Sequence, residues 1–457
     1  MLSRLQRVAV ALAVVLMGAM TLTTMVSSSA GAAPKTTAPK GATKVYNPGG
    51  ITVWTTVTNC NDSGSGSLPY VVANGPTHNI DFSPSLPCST IDLPNGPIVI
   101  TGFTAIEGPG ATDLALSGGG VSQLFSVDGF GSLSISGLTL ENASTPDDGG
   151  AISNLGTLTV QQCTFSNNSA QTGGVIANDQ GSTTIQDSTL SGNMAENTGG
   201  VLYNNSDATM SISGSSISAS GSPQGGGIYN VGTLTVSDST FNRLGADYLN
   251  GGAIENEQGT LTVSNSSFFD DQADLGDGGA IYDAAGATAS ISNSTFDYGR
   301  AIDGADVFGP VSLTATIVSY GSISKDCAGG VVDDGYNIDD DGSCGLTAPS
   351  ISDSSTLDAS LGTFENNGGA TNTIPLLPGS PAIDVVPTAD CPSTDQRGDP
   401  RTPPCDVGAY DTDGGTGAGP PAVAPEAPVA LALPVCAAVL ASGAFLVVRR
   451  RRSRPSV

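Results

Sequence analysis

The chain has 457 residues, with 42 acidic and 15 basic side chains and a formal net charge of −27. Nucleic-acid binding depends on basic patches, so this charge excludes nucleic acid as a partner. The simplest role of the charge is to keep a large surface soluble. The length exceeds what one compact core usually holds, but it suits a solenoid of stacked repeats.

The N-terminal residues 1–32 form a predicted signal peptide. Two arginines precede an apolar run over residues 8–20, and small residues follow it. A basic segment, a short apolar segment and a small-residue exit are the parts of a cleavable export signal, with an uncleaved anchor helix as the alternative. Residues 33–50 are rich in Pro, Thr, Lys and Gly, which predicts a flexible lead-in.

Residues 149–304 contain six repeats of about 26 residues, each opening with a Gly-Gly-x-aliphatic motif. The motifs begin at Gly149, Gly173, Gly199, Gly225, Gly251 and Gly278. Alignment on them gives an aliphatic column at Ile152, Ile176, Leu202, Ile228, Ile254 and Ile281. A polar column follows at Asn154, Asn178, Asn204, Asn230, Asn256 and Asp283. The last apolar column is Phe165, Leu190, Ile217, Phe241, Phe268 and Phe296. Columns at one period indicate a solenoid.

The composition of the repeat predicts strands and not helices. The Thr-Leu-Thr-Val segments at 157–160, 233–236 and 260–263 alternate polar and apolar residues, as strands with one buried face do. Repeated Gly and Asn predict turns between the strands. We therefore predict an all-β, right-handed parallel β-helix with two or three short strands per coil. The coils would stack about 4.8 Å apart, with the asparagine amides of the polar column bonded to one another at a turn.

The flanks of the repeats predict further, less regular coils. Residues 51–148 are predicted to form N-terminal coils and a cap, and residues 305–411 to form C-terminal coils. Alternating segments at 132–140 and 312–318 support this extension. Roughly ten coils would form a rod of about 50 Å.

The C-terminal end predicts a membrane anchor. Residues 412–428 are rich in Gly, Pro and Ala and are predicted to form a stalk. Residues 429–448 carry no charge and are long enough for a transmembrane helix. The arginine-rich residues 449–457 would then stay cytoplasmic by the positive-inside rule. The end is similar to a Gram-positive sorting signal but lacks an LPxTG motif. We therefore expect retention in the plasma membrane with the ectodomain outside, and attachment by a sortase remains open.

Several segments resemble a known class of surface proteins. Residues 57–68, together with the C-terminal pieces 366–371, 376–384, 395–398 and 405–409, resemble right-handed β-helix surface proteins with a choice-of-anchor Q motif. The Gly-Gly-Ala-Ile units also resemble repeats of polymorphic outer-membrane proteins. These resemblances imply a pectin-lyase-like fold and surface display, and they supply no catalytic residues.

Eight cysteines in an exported chain predict disulfides. We predict three local pairs, each closing a loop outside the regular repeats: Cys60 with Cys88, Cys327 with Cys344, and Cys391 with Cys405. Sequence alone does not determine connectivity. Cys163 shares a column with Ser188, Ser215, Ser239, Ser266 and Ser294, which predicts a small stacking residue and not a nucleophile.

The repeats offer little for catalysis. A polysaccharide lyase needs a basic residue beside calcium-binding carboxylates, yet Arg243 and Arg300 are the only basic residues of the six repeats. A glycoside hydrolase needs paired carboxylates, for which Asp270 and Asp271 are the candidates. Aspartates in glycine-rich turns, however, commonly make local hydrogen bonds.

A calcium site is the one cofactor that the sequence suggests. Asp339, Asp340 and Asp341 cluster before a Gly turn and offer the hard oxygen ligands that Ca²⁺ prefers, although a solvated acidic loop is the alternative. His78 is the only histidine in the sequence, so a metal site or catalytic triad based on imidazole would lack a second histidine.

The leading functional expectation is therefore a non-enzymatic surface protein, a rigid adhesin-like scaffold that presents loops to an extracellular glycan or protein. The alternative is a glycan-active enzyme of the β-helix type. Carboxylates that converge in one groove would favour the enzyme, and acids scattered over turns would favour the scaffold.

Overall fold

The computed structural model describes residues 53–76, 78–321, 323–352 and 360–413. In these ranges the chain forms a parallel β-helix of about ten turns with about 26 residues per turn, which confirms the predicted fold class. The predicted signal peptide, lead-in, membrane helix and basic tail lie outside the described residues, as does the predicted stalk beyond Asp413.

Four parallel sheets run along the solenoid. Sheet A consists of Thr55–Val57, Asn79–Phe82, Phe103–Glu107, Ser132–Ser136, Thr157–Gln161, Ser182–Gln186, Thr209–Ser213, Thr233–Ser237, Thr260–Ser264, Thr288–Ser292, Ser312–Thr314 and Val332–Asp333. Sheet B consists of Thr90–Asp92, Ala115–Ser117, Thr139–Glu141, Thr164–Ser166, Thr189–Ser191, Ser216–Ser218, Thr240–Asn242, Ser267–Phe269, Thr295–Asp297, Ile317–Ser319 and Ile338–Asp339. Sheet C consists of Ile98–Ile100, Phe125–Val127, Ile152–Asn154, Ile176–Asn178, Leu202–Asn204, Ile228–Asn230, Ile254–Asn256, Ile281–Asp283, Val307–Phe308 and Cys327–Ala328. Sheet D consists of Ser169–Thr172, Met194–Thr198, Gly221–Ser222, Gly245–Ala246 and Gln272–Ala273.

Equivalent residues of successive coils pair in register, because each strand lies directly beside its equivalent in the next coil. Leu234 pairs with Leu261 in sheet A, for example, and both side chains are fully buried. The phenylalanine column forms a continuous stack, in which the Phe268 ring centroid lies 4.7 Å from that of Phe241 and 4.5 Å from that of Phe296. Burial of these apolar columns drives the coils together.

The polar column forms a buried hydrogen-bonded ladder at the end of the sheet C strands. Each asparagine Nδ2 donates to the Oδ1 of the next residue in the column, over distances of 2.6–3.0 Å from Asn154 to Asp283. Asp283 ends the ladder, so it only has to accept a hydrogen bond, and a carboxylate can fill this role. The ladder satisfies polar groups that would otherwise destabilise the interior.

The Gly-Gly motif is required by the corner between sheets D and C. Gly149, the first glycine, has a φ of +75°, in the left-handed region that favours glycine. A Cβ on the second, Gly150, would lie 2.1 Å from the carbonyl oxygen of Gly174 in the next coil. The strands of sheet D precede this corner and give five of the coils a fourth strand, one more than the two or three predicted per coil.

Residues near the N-terminus close that end of the core. Helix α1 (Leu68–Asn74) is capped at its N-terminus by Ser67, whose side chain accepts a hydrogen bond from Tyr70 N. Leu68 and Val71 from the helix join the same apolar core as Val57. The predicted pairs Cys60–Cys88, Cys327–Cys344 and Cys391–Cys405 are all disulfide-bonded.

The coils end near the last strand of sheet B, and the chain then folds back over that sheet. Residues 360–413 form isolated β-bridges, and no longer β-strand is found in this range. They contact the outer face of sheet B, where Gln396 Nε2 donates to Thr240 Oγ1 and Ala409 N donates to Thr295 Oγ1. The Phe364 ring stacks on Phe269 at 4.5 Å. This segment, which we name the C-terminal cover, shields one face of the rod.

Candidate functional site

Asp270 and Asp271 follow a sheet B strand and have different environments. Asp270 occupies a left-handed corner with a φ of +56°, and its half-exposed carboxylate lies 3.6 Å from Arg243 Nε. Asp271 is fully buried, and its Oδ1 accepts a hydrogen bond from Leu244 N in the preceding coil. Burial raises the pKa of Asp271 well above its usual value. Asn168 and Asn193 accept equivalent backbone bonds in earlier coils, so Asp271 belongs to a structural ladder.

The outer face of sheet C carries a column of aromatic residues interrupted by one acid. Tyr203 stacks on Tyr229 with ring centroids 5.9 Å apart, and Tyr282 stacks on Phe308 at 5.2 Å. Glu255 occupies the position between Tyr229 and Tyr282. Glu255 was not among the predicted site residues, although the alignment shows it between aromatic residues of the neighbouring coils.

Glu255 is the acid whose chemistry most resembles that of a catalytic residue. It has no exposed surface, and its Oε1 accepts a hydrogen bond from Gln224 Nε2 at 2.7 Å. Burial, opposed by that hydrogen bond and reinforced by the charge of Glu257, raises the pKa of Glu255 to about 8. A protonated acid beside a second carboxylate is the pairing used in glycoside hydrolysis. The complete burial of Glu255, however, separates it from any substrate on the surface.

The predicted calcium ligands divide into two environments. Asp339 is buried, and its Oδ2 accepts a hydrogen bond from Cys344 N at 2.8 Å. Asp340 and Asp341 instead meet Asp326, and one carboxylate oxygen from each lies within 4.8 Å of the others. The sequence did not predict Asp326 as a ligand, because it lies at the start of the last coil while Asp340 and Asp341 lie at its end.

Asp326 belongs to a row of buried acids. Burial, the proximity of the Asp340 carboxyl group and the charges of Asp306, Asp340 and Asp341 raise the pKa of Asp326 to about 11. Burial likewise raises the pKa of Asp306 well above its usual value, with a contribution from the Asp297 charge. These acids form a cluster of carboxyl groups at the C-terminal end of sheet C.

A cavity of about 730 Å³ lies beside the N-terminal cap. Its walls include Asp62, Val72, His78 and Asn95. The single histidine therefore has an acid in the same cavity wall, but no second imidazole exists in the chain to complete the metal or triad chemistry considered above.

The C-terminal pieces 366–371, 376–384, 395–398 and 405–409 lie inside the C-terminal cover. Arg397 Nη2 lies 2.7 Å from Asp395 Oδ2 and also donates to the Asp411 backbone oxygen. Arg401 Nη1 donates to the Asp406 backbone oxygen, and its side chain is buried. Arg397 and Arg401 thus hold the C-terminal cover together, because buried arginines need such hydrogen-bond and ion-pair partners.

Cys163 lies in the predicted serine column. Its backbone N–H donates to Ser188 Oγ at 3.2 Å, as Ser188 N donates to Ser215 Oγ. Burial raises the pKa of the Cys163 thiol to about 12, so the reactive thiolate is suppressed.

Among the described residues, no helix has both the length and the apolar character needed to cross a membrane. The predicted anchor at 429–448 lies outside these residues.

Comparison with known proteins supports the fold. Residues 149–322 match the family described as "Right handed beta helix region". No curated protein and no solved structure shows a significant match to the chain. The matched range spans the regular repeats, which agrees with the register of the four sheets.

Proposed function

Since the chain is a right-handed parallel β-helix, we propose that it is a non-enzymatic, adhesin-like scaffold of the cell surface. In this proposal the signal peptide exports the chain and the C-terminal helix keeps it in the plasma membrane. The rigid rod presents its corners to an extracellular glycan or protein.

The environment of Asp271 carries this proposal. A glycoside hydrolase needs two carboxylates that reach the same substrate. Asp271 is fully buried and bonded to the backbone of the preceding coil, whereas Asp270 faces solvent beside Arg243. The different environments of the two acids favour a structural role for Asp271 over a catalytic pair.

An exposed apolar ridge supports a role in binding. Leu249, Leu275 and Ile302 are each about half exposed and lie in three successive coils at the corner after sheet D. Ile302 N donates to the Gly276 backbone oxygen, which places these corners side by side. Tyr248 extends the ridge. Adjacent exposed apolar side chains commonly mark a binding surface.

Binding of the full-length chain to glycan arrays and to host or neighbouring cells tests the proposal. Leu275→Asp should abolish binding because it places a charge in the ridge. Phe130→Asp is the matched control, since Phe130 is 97% exposed and lies in an N-terminal coil away from the ridge. Equal loss of binding in both variants would contradict a role for the ridge. Protease treatment of intact cells tests surface exposure separately.

A second candidate is a glycan-active enzyme that uses Glu255. The raised pKa of Glu255 beside Glu257 favours it, because an acid protonated at neutral pH can donate a proton to a leaving group. Incubation with neutral and uronic-acid glycans tests this candidate. If the unmodified chain depolymerises a glycan, and Glu255→Gln or Asp270→Asn loses this activity with an unchanged circular dichroism spectrum, the enzyme hypothesis would displace the scaffold proposal.

A further inference from the structure

We propose that Asp326, Asp340 and Asp341 bind a calcium ion that joins the start and the end of the last coil of the solenoid. The site differs from the run 339–341 that the sequence suggests, because Asp339 bonds to Cys344 N and Asp326 takes its place. Asp326 immediately precedes the last strand of sheet C, and Asp340 and Asp341 follow the last strand of sheet B.

The geometry suits calcium. One oxygen from each of the three carboxylates lies within 4.8 Å of the other two. Calcium–oxygen distances of about 2.3–2.6 Å allow one ion to contact oxygens that lie up to about 5 Å from one another, and calcium prefers carboxylate and water oxygens in a flexible geometry. Asp341 is exposed, so the ion has an entry path and room for water ligands.

A buried oxygen of the cluster that has no hydrogen-bond partner is a second indication of a cation. Asp326 is 1% exposed, and its Oδ1 accepts a hydrogen bond from Gly321 N while its buried Oδ2 has no partner. Asp306 lies beside it in the preceding coil, where Asp306 N donates to the Asp326 backbone oxygen at 3.0 Å. Asp306 Oδ2 is also buried without a partner. Such groups are costly to bury unless a ligand or cation satisfies them.

The local charge adds to this geometry. Asp306, Asp340 and Asp341 repel a charge on Asp326, in addition to the effect of burial. A divalent cation would offset the repulsion between these neighbouring carboxyl groups. The Cys327–Cys344 disulfide closes the same loop, so the ion and the disulfide would together hold the end of the rod.

Calorimetric titration of calcium into the chelator-treated full-length chain tests the proposal. We expect one site per chain and at least a tenfold loss of affinity in Asp326→Asn and in Asp341→Asn. Asp303→Asn, which removes an exposed charge outside the cluster, should bind calcium as the unmodified chain does. Equal weakening by Asp303→Asn would overturn the site, because it would show that binding follows net charge alone.

Thermal unfolding provides a measurement that does not depend on the variants folding. Calcium at a hundred times its dissociation constant should raise the melting temperature of the unmodified chain by about 3–4 °C. Absence of both the heat of binding and this shift would overturn the proposal. Binding of magnesium with equal affinity would overturn the assignment of calcium.

Discussion

Replacing Asn204 with alanine removes the centre of the polar ladder. Asn204 Nδ2 donates to Asn230 Oδ1 at 2.8 Å and to the Thr233 backbone oxygen at 3.0 Å. Its Oδ1 accepts from Asn178 Nδ2 at 3.0 Å. The residue has no exposed surface, so water cannot replace these bonds without opening the coil.

The expected loss in the free energy of unfolding is about 3–5 kcal/mol, because three buried hydrogen bonds contribute about 1 kcal/mol each and orphaned groups add a further penalty. Asn178 Nδ2 keeps its bond to the Thr209 backbone oxygen, which limits that penalty. Asn204→Asp should cost at least as much, since a carboxylate cannot donate to Asn230. Asp283 is tolerated because it ends the ladder.

Urea unfolding followed by circular dichroism measures the loss, and hydrogen exchange locates it. Coils contact only their neighbours, so amide protection should fall first in the sheet C strands next to Asn204. Asn205→Ala is the matched control, because this partly exposed asparagine accepts a bond from Ser206 N in a surface turn. A loss below about 1 kcal/mol for Asn204→Ala, equal to the control, would refute the role of the ladder.

Three further predictions concern buried side chains. Because burial raises the pKa of Glu255 from 4.5 to about 8, the folded state binds its proton more tightly than the unfolded chain, and stability falls as the pH rises through this window. Glu255→Gln should therefore be more stable than the unmodified chain at pH 9, by about 3–5 kcal/mol, and equal stabilities in urea at that pH would contradict the shift. Phe268→Ala should cost about 3–5 kcal/mol in urea unfolding, because it removes the middle ring of the phenylalanine stack, and a cost below about 1 kcal/mol would contradict that packing. Cys163 should resist maleimide until the chain unfolds, and Cys163→Ser should change stability by less than about 1.5 kcal/mol; rapid labelling of the native chain would contradict its burial.

Much of the solenoid could be predicted because one residue's environment recurs in every coil. The columns that begin at Ile152, Asn154 and Phe165 show in the alignment which side chains stack. The strands of sheet D were harder to predict, since segments such as Gly245–Ala246 are too short to show alternation. The partners of Asp271 and Glu255 also escaped prediction, because burial at one coil depends on side chains contributed by its neighbours.

The sequence by itself determined the repeat and the strand character of each coil, because both depend on local periodicity; it predicted the local cysteine pairs, whose connectivity the structure then decided. Only the tertiary structure decided where the C-terminal cover lies, which oxygens remain without partners, and which acids meet. Asp326 and Asp340 are separated by a turn of the chain, yet stacking brings their carboxylates within 4.8 Å. The physical reason is that charge and hydrogen bonding act through space, whereas a sequence pattern records only separation along the chain.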